Sequence, residues 1–186
     1  MGLVYYGYSL YMRPVVNKII IQQHISEIEK DILSNPIPKP NVDFMVCVAM
    51  LESNSNYQSY RKNSQYWGAY QMGESARKEV GLENMQKDMF LNNKAIQNWA
   101  MNEYMKINYE YLKPYIAKYN IPLYGGKRIG MHIITISGLI ASAHLVGHAS
   151  VITFLKSNGT IIIKDGNGKP LTDYLELNNF KLEFDK

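Results

Sequence analysis

The sequence predicts a mostly α-helical fold in one domain, with a small β/loop element beside a central helix. Three observations predict it. Apolar residues recur at helical spacing through residues 15–33 and again through residues 94–119. An unbroken apolar run, Phe44-Met45-Val46-Cys47-Val48-Ala49-Met50-Leu51, suits a buried helix. Turn-forming clusters, among them Asn35-Pro36-Ile37-Pro38, Gly125-Gly126 and Asp165-Gly166-Asn167-Gly168, separate the periodic stretches. A chain of 186 residues with 46% hydrophobic content is long enough to bury one core.

Residues 1–11 are apolar and aromatic. They lack the charged start and the small-residue cleavage site of a secretory leader. Arg13, Pro14 and Lys18 follow too soon for a membrane span. The segment reads as an extended arm packed on the domain. Residues 15–33 then form a covering helix, with Ile21, Ile25, Ile28 and Ile32 as its apolar stripe. Pro36, Pro38 and Pro40 stand at alternate positions and favour extended chain. Asp43 is expected as the N-cap of a buried helix over residues 44–53.

Residues 54–65 are too polar for a core and read as a loop. Residues 67–73 form a short strand or tight loop. Short helices are expected over residues 75–80, stopped by Gly81, and over residues 82–89. Asn92 or Asn93 caps the long helix over residues 94–119, which Pro114 breaks or kinks. Its apolar face is Ile96, Trp99, Ala100, Tyr104, Ile107 and Tyr111. A helix over residues 133–145, rich in small residues, ends at Gly147, and another covers residues 149–156. Residues 160–164 suit a strand, residues 165–168 a turn, and residues 172–175 a last short helix. The chain divides into an arm with its covering helix (1–40), a main body (41–159) and an extension packed on the same domain (160–186).

Twenty basic and 16 acidic residues give a formal charge of +4. Mild basicity aids solubility and attracts anionic polymers at long range. No run of Lys or Arg marks a nucleic-acid surface. Cys47, the sole cysteine, excludes an intrachain disulfide and reads as a small core residue. His24, His132, His144 and His148 are scattered, without a His-Glu-x-x-His pattern, so no metal site is expected. No phosphate-binding glycine loop and no nucleophile elbow appears, and no cofactor is expected. Fifteen tyrosines supply many faces on which the apolar side of a sugar ring can rest.

Glu52 is the residue with chemistry to offer. It follows the apolar run directly, at a helix end half out of water. Lost hydration favours the protonated form of a carboxylate, the form from which a general acid donates. Glu52-Ser53-Asn54, then Gly68-Ala69-Tyr70-Gln71-Met72, then Ser137-Gly138-Leu139-Ile140-Ala141-Ser142-Ala143-His144-Leu145-Val146-Gly147 stand in this order. Together they resemble the signature of the soluble lytic transglycosylases and of their lysozyme-like relatives, the phage-type peptidoglycan hydrolases. The likeness covers residues 43–159.

The resemblance implies a lysozyme-like fold of the α+β lysozyme superfamily and cleavage of the β-1,4 bond between N-acetylmuramic acid and N-acetylglucosamine. Glu52 is the implied catalytic residue. Ser53, Tyr70, Gln71 and His144 are the implied substrate-binding residues, joined by Tyr60 and Tyr66 of the aromatic loop. Most glycosidases pair two carboxylates, and residues 53–73 contain no second acid. That favours the transglycosylase form, in which one Glu serves as acid and then as base, over a hydrolytic muramidase. Asn54 stands where the family has Gly, and His144-Leu145-Val146 where it has Tyr-Asn-Ala. The implied partner is the glycan strand, and the implied place of action is the periplasm or cell wall. A phage particle or a secretion apparatus is the expected carrier. The rival readings are a non-catalytic glycan-binding or structural part of such a machine, and a helical protein-binding module that uses the aromatic arm.

Overall fold

The computed structural model describes residues 3–60, 65–178, 180 and 182–184, and side chains from residue 17 onward. Helices dominate: α1 (Leu3–Ser34), α2 (Lys39–Ser53), α3 (Glu74–Glu79), α4 (Lys87–Leu91), α5 (Lys94–Tyr119), α6 (Ile136–Val146) and α7 (His148–Lys156). Two three-residue strands, β1 (Lys127–Ile129) and β2 (His132–Ile134), form an antiparallel hairpin. A 3₁₀ helix at Leu171–Tyr174 closes the order.

The α5 helix is the hub against which α1, α2, α3, α4, α6 and α7 pack. Asn93 caps it as expected, its side chain accepting from the Ile96 N–H at 3.0 Å. Ile96, Ala100 and Tyr104 are buried, and Trp99 and Ile107 lie half-buried against the core. Pro114 does not end the helix, which continues to Tyr119. Tyr111 differs from expectation: its ring is exposed and stacks on His148, with centroids 3.9 Å apart.

Six other expectations are corrected. Residues 3–14, expected as an extended arm, belong to α1, which runs through Pro14. Leu, Tyr and Met are acceptable helix residues, and one proline removes only one backbone hydrogen bond. Residues 1 and 2 of that arm lie outside the described residues. Asp43 does not cap α2, because the helix starts at Lys39 with Pro40 in its first turn, where no partner for a proline N–H is needed. Asp43 instead pairs with Lys39 one turn away, at 3.0 Å.

The α2 helix is not buried all round. Phe44, Met45, Val48 and Ala49 face the core, whereas Val46, Met50 and Leu51 are exposed and Cys47 is half-buried. An eight-residue apolar run circles a helix twice, but only one face meets α5. Residues 133 and 134, expected as helix, are strand; Thr135 then caps α6. Residues 82–86 are not helical, so the short helix after Gly81 begins only at Lys87. Residues 160–163 carry no ladder, and only Lys164 bridges Pro170.

The stripe on α1 packs as expected, with Ile25 and Ile28 buried and Ile21 and Ile32 against the core. Leu171, Tyr174, Leu175 and Leu182 belong to the same apolar cluster as the helices. Asn41 ties the tail to α2: it donates to the Glu183 carbonyl at 2.9 Å and accepts from the Glu183 N–H at 2.9 Å. Gly138 brings α6 against the 3₁₀ helix; a Cβ there would lie 2.7 Å from the Leu175 carbonyl oxygen.

Candidate active site

The site is built from the C-terminal end of α2, a tight loop at residues 67–72, the end of α6 and the turn at residues 165–169. Asn54 ends α2 in the left-handed conformation, φ 54°, with its N–H and that of Ser55 turned back onto the last turn. This is the conformation that glycine adopts most easily, and asparagine is the usual second choice. Asn54 thus makes the helix stop that a glycine would make. Glu52 is left on the last turn, with its side chain 15% exposed.

The loop at residues 67–72 is held from three sides. Ser53 Oγ donates to the Ala69 carbonyl at 2.7 Å. The buried Gln97 of α5 accepts from the Ala69 N–H at 2.9 Å and donates to the Phe90 carbonyl at 2.9 Å and the Tyr57 carbonyl at 3.0 Å. Arg77 donates to the carbonyls of Gln65 and Met72 and lies 3.5 Å from the Trp67 ring centre. Gly68 allows the close approach to Gln97. Its φ is +76°, and a Cβ would sit 2.1 Å from Gln97 Oε1.

Glu52, Tyr66, Gln71 and His144 line one cleft of about 130 Å³, together with Leu145, Asp165 and Asn167. Two of the other expected site residues stand beside it and face inward. Ser53 acts on the loop as described. Tyr70 is buried, its hydroxyl donating to Asn98 at 2.8 Å, and its carbonyl is the part that meets the site. Tyr60 is outside the cleft lining and lies under the Lys87 ammonium, 3.8 Å from its ring centre. Gln71 donates to the Gly68 carbonyl at 2.8 Å, which fixes its amide at the cleft wall.

Glu52 accepts a short hydrogen bond on Oε1 from the Tyr174 hydroxyl. Burial raises the Tyr174 phenol above its ordinary 10.0, and its hydrogen bond to Glu52 raises it further. The phenol therefore stays a donor. Lys169 Nζ donates to the same hydroxyl at 3.0 Å. His144 Nε2 is 3.9 Å from Glu52 Oε1 and 2.8 Å from the Tyr70 carbonyl oxygen. A carbonyl only accepts, so Nε2 carries the hydrogen. Among the described residues, His144 Nδ1 has no hydrogen-bond partner, and it is buried. Burial lowers this imidazole below its ordinary 6.5, outweighing the Glu52 charge and the Tyr70 carbonyl. His144 is thus neutral and orients the site without forming an ion pair.

Sequence reasoning missed Tyr174, Lys169, Asp165 and Asn167. The turn motif at residues 165–168 was the one local signal, and it pointed to geometry rather than chemistry. Asp165 uses its carboxylate inside that turn, accepting from the N–H groups of Asn167 at 2.9 Å and Lys169 at 2.7 Å. Among the described residues, no group of three or more His, Cys, Asp or Glu is arranged to hold a metal ion. No helix among them is long and apolar enough to cross a membrane. A larger cavity of about 370 Å³, between α1 and residues 81–85, shares no lining residue with the Glu52 cleft.

No protein-family model, curated protein or solved structure matches the chain.

Proposed function

We propose that this chain is a lysozyme-like peptidoglycan-cleaving enzyme acting on the β-1,4 bond between N-acetylmuramic acid and N-acetylglucosamine, with Glu52 as its acid and base. One observation carries the reading. Glu52, Gln71 and His144, which come from the three separate motifs of the resemblance, line the same cleft. The cleft is smaller than the roughly 300–1,000 Å³ of pockets that enclose a ligand. It suits one bond of a polymer lying across the surface.

In the transglycosylase form, protonated Glu52 gives its proton to the glycosidic oxygen as the C1–O bond breaks. The substrate's own C6 hydroxyl then closes on C1, and its proton returns to Glu52. The product carries a 1,6-anhydro end and no water is consumed. Asp165 on the cleft wall favours a second form, in which water attacks C1 and the product has a reducing end. Either form acts on the wall, in the periplasm or from outside, carried by a phage particle or a secretion apparatus.

Mass analysis of purified peptidoglycan after incubation tests both. Wild type is expected to release anhydro-ended fragments, and Glu52→Gln to lower the rate by about 10²–10⁴-fold. Reducing ends would move the assignment to hydrolysis. A Glu52→Gln protein as active as wild type would end the reading.

A further inference from the structure

We propose that Lys169 is a positioning residue that fixes the direction of the Tyr174 hydroxyl, so that Glu52 Oε1 is held as an acceptor and Oε2 is the oxygen that carries the proton. This rests on Glu52 being the acid and extends that reading to the division of labour between its two oxygens.

An ammonium has three N–H donors and no acceptor, and a phenol has a single hydrogen. Lys169 Nζ donates to the Tyr174 oxygen at 3.0 Å. The phenol hydrogen therefore cannot point back at Lys169. Its remaining partner is Glu52 Oε1. The chain Lys169 to Tyr174 to Glu52 runs in one direction only.

Lys169 is itself held at both ends. Its N–H donates to Asp165 Oδ1 at 2.7 Å and its carbonyl accepts from the Asp165 N–H at 2.9 Å. The bridge between Lys164 and Pro170 closes that turn against the 3₁₀ helix that bears Tyr174. The ammonium also lies 4.4 Å from the Tyr174 ring centre, so the stem follows the ring. An oxygen that accepts a hydrogen bond from a buried phenol is poorly placed to hold a proton. Oε2 has no hydrogen bond among the described residues, and the carboxylate it belongs to lines the cleft.

Lys169→Met keeps the length of the stem and removes the donors, whereas Lys169→Arg keeps a donor. On purified wall, Lys169→Met is expected to lower kcat about tenfold, with KM changed by no more than about twofold. Lys169→Arg should restore most of kcat. Tyr174→Phe should cost at least as much as Lys169→Met. The double variant should be no slower than Tyr174→Phe alone, because Lys169 acts through the hydroxyl. Losses that multiply, or full kcat in Lys169→Met, would overturn the proposal.

Crystal structures of wild type and Lys169→Met separate this from failure of the wall-cleaving reading. The Tyr174 hydroxyl is expected to lie on Glu52 in wild type and to be displaced in the variant. An unmoved hydroxyl overturns the role of Lys169 whatever the activity. An inactive wild type whose hydroxyl still depends on Lys169 overturns the enzyme and supports the positioning.

Discussion

The imidazole of His144 donates to the Tyr70 carbonyl at 2.8 Å and leaves its other nitrogen buried with no hydrogen-bond partner among the described residues. The pairing joins the end of α6 to the loop beside Glu52. It also makes the folded protein resist a second proton on His144. The folded imidazole titrates below 6.5, mainly because burial disfavours its charge.

A pH dependence of stability follows. Below the ordinary His value the unfolded chain binds a proton that the folded chain refuses. Stability therefore falls as pH is lowered through about 6.5 and continues to fall until the depressed folded value is reached. The slope from this residue is at most about 1.4 kcal/mol per pH unit. Thermal melts between about pH 7.5 and 5 should show it, and His144→Gln, which can still donate to Tyr70, should flatten it. An equal slope in the variant would assign the effect elsewhere.

Gln97 is the second target. Its amide satisfies one N–H and at least two carbonyls from three different segments. Replacing it by Leu leaves those buried groups unpaired and should lower stability by about 2–4 kcal/mol in urea denaturation. Gln97→Glu should rescue little, since a carboxylate accepts from Ala69 but cannot donate to the carbonyls. Stability close to wild type in both variants would show that water takes over the amide's partners.

Gly138 links core packing to chemistry. Its Cα faces the Leu175 backbone so closely that Gly138→Ala must push the 3₁₀ helix away from α6. The expected cost is about 1–3 kcal/mol. Because Tyr174 sits on the displaced element, the proposed wall-cleaving activity should fall more than stability at a temperature where the variant remains folded. Loss of stability with full activity would uncouple the two.

Much of the helical frame was legible in the sequence. The Ile21, Ile25 and Ile28 stripe, the Asn93 cap and the stop at Gly147 are local patterns with local causes. Glu52 was legible for the same reason, as the first polar residue after an apolar run. The β1–β2 hairpin was not, because three-residue strands are too short to show alternation. The true start of α2 was hidden by Pro40, which reads as a breaker yet is harmless in a first turn. Tyr174 and Lys169 were hidden by distance along the chain, since Tyr174 meets Glu52 across 122 positions. Asp165 was visible only as part of a turn, and its place on the cleft wall depends on how that turn docks.

That long separation has a consequence for how the site comes into being. Glu52 leaves the ribosome early, on a helix that can form while synthesis continues. Its phenol partner and the turn bearing Lys169 emerge much later. A nascent fragment that stops short of them carries Glu52 without its Tyr174 and Lys169 partners, so the hydrogen-bonded cluster is delayed until that later stretch has been translated.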